Sequence, residues 1–589
     1  MTYAELKSEV AILAKSMVVN DNIQPNDVVA GLVCNSPSTL IAMLATTSIG
    51  AVWACCSPDF GVRGIVDRLG QIQPKLLFMH DFYYYRGNRF EIREKVEGEV
   101  WDRLKDRTER VIVLNYHDQN DPTTPNASAM PNISNAVTYS DYTSSHKHET
   151  KLNFHRSKNG FQQPVYIMFS SGTTGPPKCM VQGIGVTLNH MKESALHMNI
   201  DRDDNLFWFT TTGWMMWNWL LGASLGRGAT ALLYDGDPMH PSRTTLWEIA
   251  SEAQLSLFGT SARWLSACMD QDPTGPQSSS SPLEHNIALD RLRIVGSTGS
   301  PAGGNIYSWV NQHVIGQDDK PVQFVSTSGG TDLNGSFVTG NPWLPVYEEE
   351  LQCVALGLDV KVMNNDGSVD VGESGQQGEL TCGIGFPSAP LLFLGDDDDS
   401  SKYRAAYFED GFGDGVIWQH GDFCSFNPNT GGMKIHGRSD ATLNPGGVRI
   451  GTAELYRALD EYTSLTSSQT IILDSLVVGQ SITLPDGTPD VRIILFLKTI
   501  HGDTQHELPT NLVQDIKSHI RKACSPRHVP SVVCAVGDIP YTTNGKKVEI
   551  AVSRLLCGND VKNNSALKNP ESLDFFGSEE CLHVLDKLG

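Results

Sequence analysis

Two glycines, four hydroxyls and a lysine follow a short apolar run in Phe169-Ser-Ser-Gly-Thr-Thr-Gly-Pro-Pro-Lys178. Glycine lets backbone N–H groups approach an anion closely, hydroxyls add donors, and lysine brings positive charge to a polyphosphate. The stretch reads as a phosphate-binding loop, with Ser170, Ser171, Gly172, Thr173, Thr174, Gly175 and Lys178 as its donors and turn-formers. Its spacing is not that of a Walker A loop, because two prolines separate Gly175 from Lys178. A P-loop ATPase is therefore the second reading, and a plain Ser/Thr/Gly surface turn the third.

Further stretches have the composition of ligand sites. Arg293-Ile-Val-Gly-Ser-Thr-Gly-Ser-Pro301 and Phe324-Val-Ser-Thr-Ser-Gly-Gly-Thr-Asp332 are both strand-then-glycine patterns, and open parallel sheets bind ligands at the carboxyl ends of their strands. Trp418-Gln-His-Gly-Asp422 places a carboxylate after a glycine at a strand end. Asn544-Gly545 is a tight-turn dipeptide that can project Lys546 from a loop tip. Gly and Pro cluster in Gly437-Arg-Ser-Asp-Ala-Thr-Leu-Asn-Pro-Gly-Gly-Val-Arg449, as expected of a hinge between two regular regions. The acidic run 396–399 reads as a solvated loop rather than a metal site, since hard cations draw spaced ligands from several segments.

Four of these stretches occur in one order: Phe169 to Val181, Thr212-Gly-Trp-Met-Met-Trp-Asn-Trp219, Ser328 to Asp332, and Ile539-Pro-Tyr-Thr-Thr-Asn-Gly-Lys-Lys-Val-Glu549. Together they resemble the acyl-adenylate-forming superfamily of acyl-CoA synthetases, luciferases and peptide-synthetase adenylation domains. They are most similar to its acetoacetate-activating branch, from about residue 3 to about residue 575. The resemblance implies ATP-dependent activation of a short keto acid to its CoA thioester through an acyl-adenylate, with Mg²⁺ as cofactor and ATP and CoA as co-substrates. It implies Lys546 as the adenylation lysine, Gly299, Ser300 and Pro301 beside adenine, and Thr331 on phosphate. Asp422 and Arg438 fall on the ribose, Asp440 on the hinge pivot, and Arg449 on phosphate. Asp332 falls beside Mg²⁺, where most of the superfamily carries the longer glutamate. Trp214, Gly329 and Gly330 line the acyl pocket, and Arg86, Arg89 and Arg521 contact CoA; the bland reading of all three arginines is a solvated turn or helix end. Acetyl-activating relatives carry tryptophan at the place of Gly329, so Gly329→Trp is expected to shift preference toward acetate. Lys547 is read as pointing elsewhere, on the start of the following helix.

Alternating strands and helices must position these residues. Apolar runs at 28–34, 51–55 and 75–79 read as buried strands with helical patterns at 37–49 and 61–71 between them, which implies a parallel α/β sheet. A polar stretch, 117–163, reads as an irregular connection, 181–198 as a helix, and 229–234 and 255–259 as strands of a second parallel unit. Residues 205–225 are apolar but interrupted by Asn205, Gly213 and Asn218, so a strand-turn-helix is expected there rather than a membrane span. The expected architecture is α/β: a large adenylation domain of parallel αβ units over 1–438, then a smaller, mobile α+β domain over 439–589. In the second domain, helices are expected at 453–459 and 512–524 and strands at 471–473 and 491–497.

Composition narrows the partners. A chain of 589 residues is too long for one core. Its net charge of −22 argues against nucleic acid or an anionic membrane as a partner, leaving small molecules. Twelve scattered cysteines without CxxC spacing read as reduced thiols, hence a cytoplasmic protein. Leu573-Asp-Phe-Phe-Gly-Ser578 lacks a carrier-protein core, so no carrier domain is expected. The family usually has a further N-terminal portion, on the order of a hundred residues. Without it, the faces of helix 3–17 and strand 28–34 are expected to be partly bare. The acid itself stays open between acetoacetate and another small carboxylate, and a non-catalytic nucleotide-binding relative remains an alternative.

Overall fold

The computed structural model describes residues 1–60, 62–114, 116, 130, 132–149, 151–170, 177–277, 287–299, 301–314, 322–364, 367, 369–408, 415–438, 443, 445, 452–465, 472–483, 489–500, 506–523, 528–543, 545–558, 561 and 567–588. Contacts divide the chain into two compact units. The first takes Met1–Ser170, Pro177–Leu358 and Gly385–Ala405; the second takes Asp359–Ile384 and Ala406–Gly589.

Two large sheets, a three-stranded sheet and a two-stranded hairpin build the first unit. The larger sheet has eight strands in the spatial order Pro390–Phe393, Lys178–Gly183, Pro164–Ser170, Val52–Cys56, Val28–Leu32, Leu76–His80, Arg110–Leu114, Ala136–Thr138. Its six strands from Pro164–Ser170 to Ala136–Thr138 run parallel, and the two at the other edge are antiparallel. Helices Pro37–Ser48 and Val62–Ile72 supply the crossovers that a parallel pair requires. Strands Val52–Cys56 and Leu76–His80 are buried along their whole length, as expected where helices cover both faces. The second sheet is wholly parallel, in the order Thr230–Leu232, Asn205–Trp208, Leu257–Thr260, Ile294–Ser297, Gln323–Ser326.

The first unit departs from the sequence reading in three places. Residues expected to open a helix at 181 instead finish strand Lys178–Gly183, because this segment pairs back on Pro164–Ser170 before helix Gly185–Lys192 begins. Within the polar connection, Ala136–Thr138 adds an edge strand and Tyr139–Thr143 a short helix. The expected bare N-terminal face is covered. Helix Tyr3–Asp21 starts with a reciprocal Thr2–Glu5 capping box and buries Val10, Leu13, Ala14 and Met17, while Val28–Leu32 lies inside the larger sheet. Its exposed apolar side chains are Tyr3, Val18 and Val19 instead.

In the second unit, a four-stranded antiparallel sheet runs Val360–Met363, Gly378–Cys382, Trp418–Phe426, Met433–Arg438. A separate sheet holds Ile472–Thr483, Pro489–Thr499 and Val532–Val536. Helices Thr452–Leu465, Thr510–Ala523, Glu549–Leu556 and Glu579–Leu588 belong to this unit. The strand expected at 471–473 extends to Thr483, and Val532–Val536 was not anticipated. Asp474, Ser475 and Gly479 break the apolar pattern of the first of these, so the sequence shows only its opening. Among the described residues no helix is long and apolar enough to cross a membrane.

Two glycines at the carboxyl ends of the second sheet make room for one indole. A Cβ at Gly259 would fall inside the Trp208 ring, and one at Gly296 would lie 2.8 Å from it. Trp208 in turn packs edge-on against Trp219, ring centroids 5.5 Å apart. Gly259→Ala is expected to lower folding stability by about 1–3 kcal/mol through overpacking. Urea unfolding measures this, and an unchanged midpoint would show that the ring moves aside freely.

Candidate active site

In the first unit two of the phosphate-loop residues, Ser170 and Lys178, lie on neighbouring strands near one edge of the larger sheet. Ser170 ends a parallel strand and pairs directly with Lys178, the first residue of the returning strand. Ser171, Gly172, Thr173, Thr174 and Gly175 lie outside the described residues, as does Ser300. The Lys178 ammonium sits over the Phe393 ring, 5.6 Å from its centroid. Phe393 meets Tyr403 edge-on at 5.4 Å. Burial, with the Asp332 carboxylate adding repulsion, pushes the Tyr403 phenol up to about 12, so it stays a hydrogen-bond donor at neutral pH. Lys178, Phe393 and Tyr403 thus form one run of contacts through two aromatic rings that the sequence reading did not single out, and the Asp332 charge acts on the phenol at its end.

Asp332 and Thr331 are carried by the turn of the hairpin formed by Ser328–Gly330 and Gly335–Thr339. That turn is tied down from behind. Gln182 donates its amide to the carbonyls of Thr331 at 2.6 Å and Asp332 at 3.3 Å, and accepts from the Asn334 amide at 2.8 Å. Asn334 occupies the left-handed region, φ 43°, and its carbonyl is 2.8 Å from His190 Nε2. One turn deeper, the buried Glu193 carboxylate accepts from the Ser336 backbone N–H at 2.9 Å, the Asn189 amide at 3.0 Å and the Trp219 indole at 2.8 Å. Burial pushes the Glu193 carboxyl up, against those donors. None of Gln182, Asn189, His190, Glu193 and Asn334 was singled out from sequence, where they stand among mixed polar and apolar neighbours.

Trp214 and Gly299 are brought together. Trp214 precedes helix Met215–Leu225 in extended conformation, and a Cβ on Gly299 would rest 3.7 Å from its ring. Gly299 has φ +93°, which favours glycine there. Pro301 follows as an exposed residue. Gly330 pairs with Gly335 across the hairpin. Gly329 departs from expectation: a Cβ added to it would fall on the Gly335 carbonyl oxygen and lie 2.7 Å from Ser336 Cα. Its missing side chain permits close strand approach and does not face open space.

The two arginines read as CoA contacts flank a tight hairpin turn. Strands Phe82–Tyr85 and Asn88–Glu91 are joined by Arg86-Gly87, both with positive φ. Arg86 Nε donates to Asp237 at 2.7 Å; Arg89 Nε donates to Glu91 at 2.7 Å and stacks over Phe82 at 3.8 Å. Each guanidinium already has a carboxylate. The acidic run is a helix cap: Asp396 accepts from the backbone N–H groups of Lys402 and Tyr403, and Asp397 from that of Ser401, at the start of Ser401–Tyr407.

In the second unit Asp422 and Arg438 are register partners on adjacent strands. Gly421, at φ +79°, donates its N–H to Glu379 at 2.7 Å where the register with Gly378–Cys382 shifts. This bulge re-aims the residue that follows it, the buried Asp422. His420 lies 3.6 Å from Asp422, and His436 pairs with the Ser425 hydroxyl at 2.8 Å, so both are structural neighbours. Arg438 is described as backbone only, and Asp440 and Arg449 lie outside the described residues. Arg521 is exposed in the last turn of Thr510–Ala523, where a cation complements the helix dipole. Lys546 is exposed, beside Gly545 at φ +75°, at the tip of a turn closed by Thr542.

Lys547 is not on the following helix. That helix begins at Glu549, and the Lys547 ammonium is held by Asp474 at 3.2 Å and by the Ser475 carbonyl.

Comparison with known proteins follows the same lines. The model of the AMP-binding enzyme family matches residues 1–383. The acetoacetyl-coenzyme A synthetase of Rhizobium meliloti (strain 1021) is 42% identical over 584 residues, spanning 99% of this chain and 82% of that protein. The acetoacetyl-CoA synthetase of Gallus gallus is 40% identical over 577 residues, spanning 98% of this chain and 80% of its own. The solved structure of acetoacetyl-CoA synthetase from Streptomyces lividans superposes with a TM-score of 0.84 at 32% identity, over 98% of this chain and 81% of that one.

Two outcomes test the site's supports. Gly329→Ala is expected to disrupt the hairpin under Asp332 and to lower turnover on every acid alike; a selective gain on a shorter acid would restore a side-chain role for this position. Burial holds the His190 imidazole down at about 4, so it is neutral in the fold. Its contribution to stability is complete above its ordinary value of about 6.5 and is lost as pH falls toward 4, by about 3 kcal/mol. Denaturant unfolding from pH 7 to 4 should show a shallower loss for His190→Gln than for the unsubstituted chain.

Proposed function

We propose, for a chain that belongs to the AMP-binding enzymes, that it joins acetoacetate to coenzyme A while ATP is cleaved to AMP and pyrophosphate. It is an AMP-forming acid–thiol ligase of parallel α/β architecture with a smaller C-terminal α+β part. The observation that carries this reading is identity near 40% across almost the whole chain with acetoacetyl-CoA synthetases.

In the first half-reaction a carboxylate oxygen of acetoacetate attacks the α-phosphorus of ATP. The bond from that phosphorus to the bridging oxygen breaks, and pyrophosphate leaves. In the second, the CoA thiolate attacks the acyl carbonyl carbon and AMP leaves with the electrons of the C–O bond. Phosphoryl transfer of this kind needs positioning and charge stabilisation more than covalent help. Residues 170–178 would cradle the terminal phosphates, with Thr331 and Arg449 as further donors and Lys546 against the reacting carboxylate and α-phosphate. Asp422 and Arg438 would hold the ribose, and Gly299, Ser300 and Pro301 the adenine. Trp214, Gly329 and Gly330 would wall the acyl group, the glycines through close backbone approach. Arg521 would meet CoA; Arg86 and Arg89 would do so only by exchanging their carboxylate partners for its phosphates.

Mg²⁺ fits the hard oxygen donors of this hairpin turn. The ion binds through one or two carboxylates plus substrate phosphates, and Asp332 with the Thr331 hydroxyl supplies that much from the chain. When bound it would neutralise charge on the phosphates. A hinge near Asp440, between parts divided at 438/439, would let Lys546 leave after adenylation, as domain motion allows in enzymes with two half-reactions. A reducing compartment such as the cytoplasm suits the eleven free cysteines among the described residues.

A pyrophosphate-release panel of short acids, with and without CoA, tests the reading. Acetoacetate should give the largest kcat/KM, with thioester formed only when CoA is present; release of phosphate instead of pyrophosphate, or preference for another acid, would sink it. For Lys546→Ala, ATP-driven adenylation should fall by ~10²–10³. The same variant should still convert supplied acetoacetyl-adenylate and CoA to thioester, and equal loss in both steps would remove Lys546 from its role.

A further inference from the structure

The pair Lys546-Lys547 joins two side chains of one chemical type, the first exposed and the second partly buried. Lys546 lies at an exposed turn. Its backbone N–H donates to Thr542 Oγ1 at 3.0 Å and its carbonyl accepts from the Thr542 N–H at 2.8 Å. Gly545 donates to the Thr542 carbonyl at 2.8 Å. These bonds close the turn upon itself, but they do not determine where it points. That direction is set at its two ends, Tyr541 and Lys547, which face each other as an isolated antiparallel pair.

Both ends reach the same carboxylate. The Tyr541 hydroxyl donates to Asp474 Oδ2 at 2.7 Å, and the Lys547 ammonium lies 3.2 Å from Asp474 Oδ1. The ammonium also donates to the Ser475 carbonyl and rests over the Tyr456 ring, 4.1 Å from its centroid. Tyr456 then accepts from the Val477 N–H at 3.0 Å and donates to Glu549 at 3.1 Å. Glu549 opens the helix that follows the turn. The result is a closed circuit through strand Ile472–Thr483, helix Thr452–Leu465, both ends of the lysine turn and the next helix. The partly buried ammonium has its donors directed at one carboxylate and one carbonyl, a better-defined geometry than an exposed ion pair holds.

We propose that Lys547 is the positioning residue for Lys546: by clamping its end of the turn to the same Asp474 that holds Tyr541 at the other end, it fixes the direction in which the Lys546 ammonium projects. The proposal rests on the ligase reading above and adds a division of labour to it, one lysine acting on substrate and its neighbour acting only through the first. Misplacing a reacting group by about 1 Å can cost on the order of 10²-fold in rate, so a loosened clamp is enough to be felt in adenylation.

Lys547→Met keeps the stem over Tyr456 and removes the charge. It is expected to lower kcat for acetoacetate-dependent pyrophosphate release by ~10–10² with KM for ATP and acetoacetate little altered. Conversion of supplied acetoacetyl-adenylate and CoA should stay close to that of the unsubstituted chain, and Lys547→Arg should recover much of the lost adenylation. Because Lys547 acts through Lys546, adding Lys547→Met to Lys546→Ala should cost little more, a non-additivity that independent roles would not give. Asp474→Asn repeats the comparison should Lys547→Met lower the thermal midpoint. Equal loss in both half-reactions, or losses that multiply in the double variant, would overturn the proposal while leaving the ligase reading intact. An unsubstituted chain without acid-dependent pyrophosphate release would overturn both.

Discussion

Glu193 is a buried carboxylate that accepts from a hairpin backbone, a helix amide and an indole. Burying an ionisable group is costly unless its hydrogen-bonding capacity is met, and here three separate elements meet it. The helix Gly185–Lys192 leads into it, the helix Met215–Leu225 sends Trp219, and the hairpin sends Ser336. If any one of them shifted, the carboxylate would be left short of a donor in a dry interior. The relative placement of Trp214, just ahead of one helix, and of Asp332, on the hairpin turn, depends on that single group. Gln182 extends the same constraint to the strand that begins with Lys178.

A buried polar centre of this kind explains why so much chemistry can sit on backbone-rich, glycine-rich turns. Among residues 328–335 only Leu333 is a buried apolar side chain. Their geometry is enforced by His190, Gln182 and Glu193, which bond the hairpin backbone and its Asn334. Glycines at 329 and 335 are then a requirement of close approach, since a Cβ at Gly335 would meet the Asn189 amide and Glu193. The hairpin can carry Asp332 on a floor of glycine because its stiffness is supplied by neighbours.

What was legible in the sequence divides along this line. Apolar runs with turn signals located Val28–Leu32, Val52–Cys56, Leu76–His80, Thr230–Leu232 and Leu257–Thr260, since buried parallel strands are nearly continuous in hydrophobicity, whereas Arg110–Leu114, Ala136–Thr138, Lys178–Gly183 and Pro390–Phe393 were not read as strands. The strand-glycine patterns likewise located the ends of Ile294–Ser297 and Gln323–Ser326. Illegible were features that depend on pairing at a distance. Gln182, His190 and Glu193 have ordinary neighbours, and only the folded hairpin 144 residues beyond His190 gives them meaning. Strand Ile472–Thr483 was half missed because Asp474 and Ser475 interrupt its pattern; those same residues receive Lys547. Local rules failed where a long-range polar contact replaced apolar burial.

The two lysines make the same case at the smallest scale. Composition treats Gly-Lys-Lys as one basic tip, and an exposed turn would let both ammoniums sample water. Side-chain freedom is lost only where the surrounding structure compensates for it. For Lys547 a carboxylate, a carbonyl and an aromatic face do so together, whereas Lys546 is exposed. In the role proposed for Lys546, a charge that acts in one half-reaction and withdraws in the next would not be locked to the protein interior. Its direction must therefore be set by the backbone on either side of it, and the residue best placed to set that direction is the one immediately following.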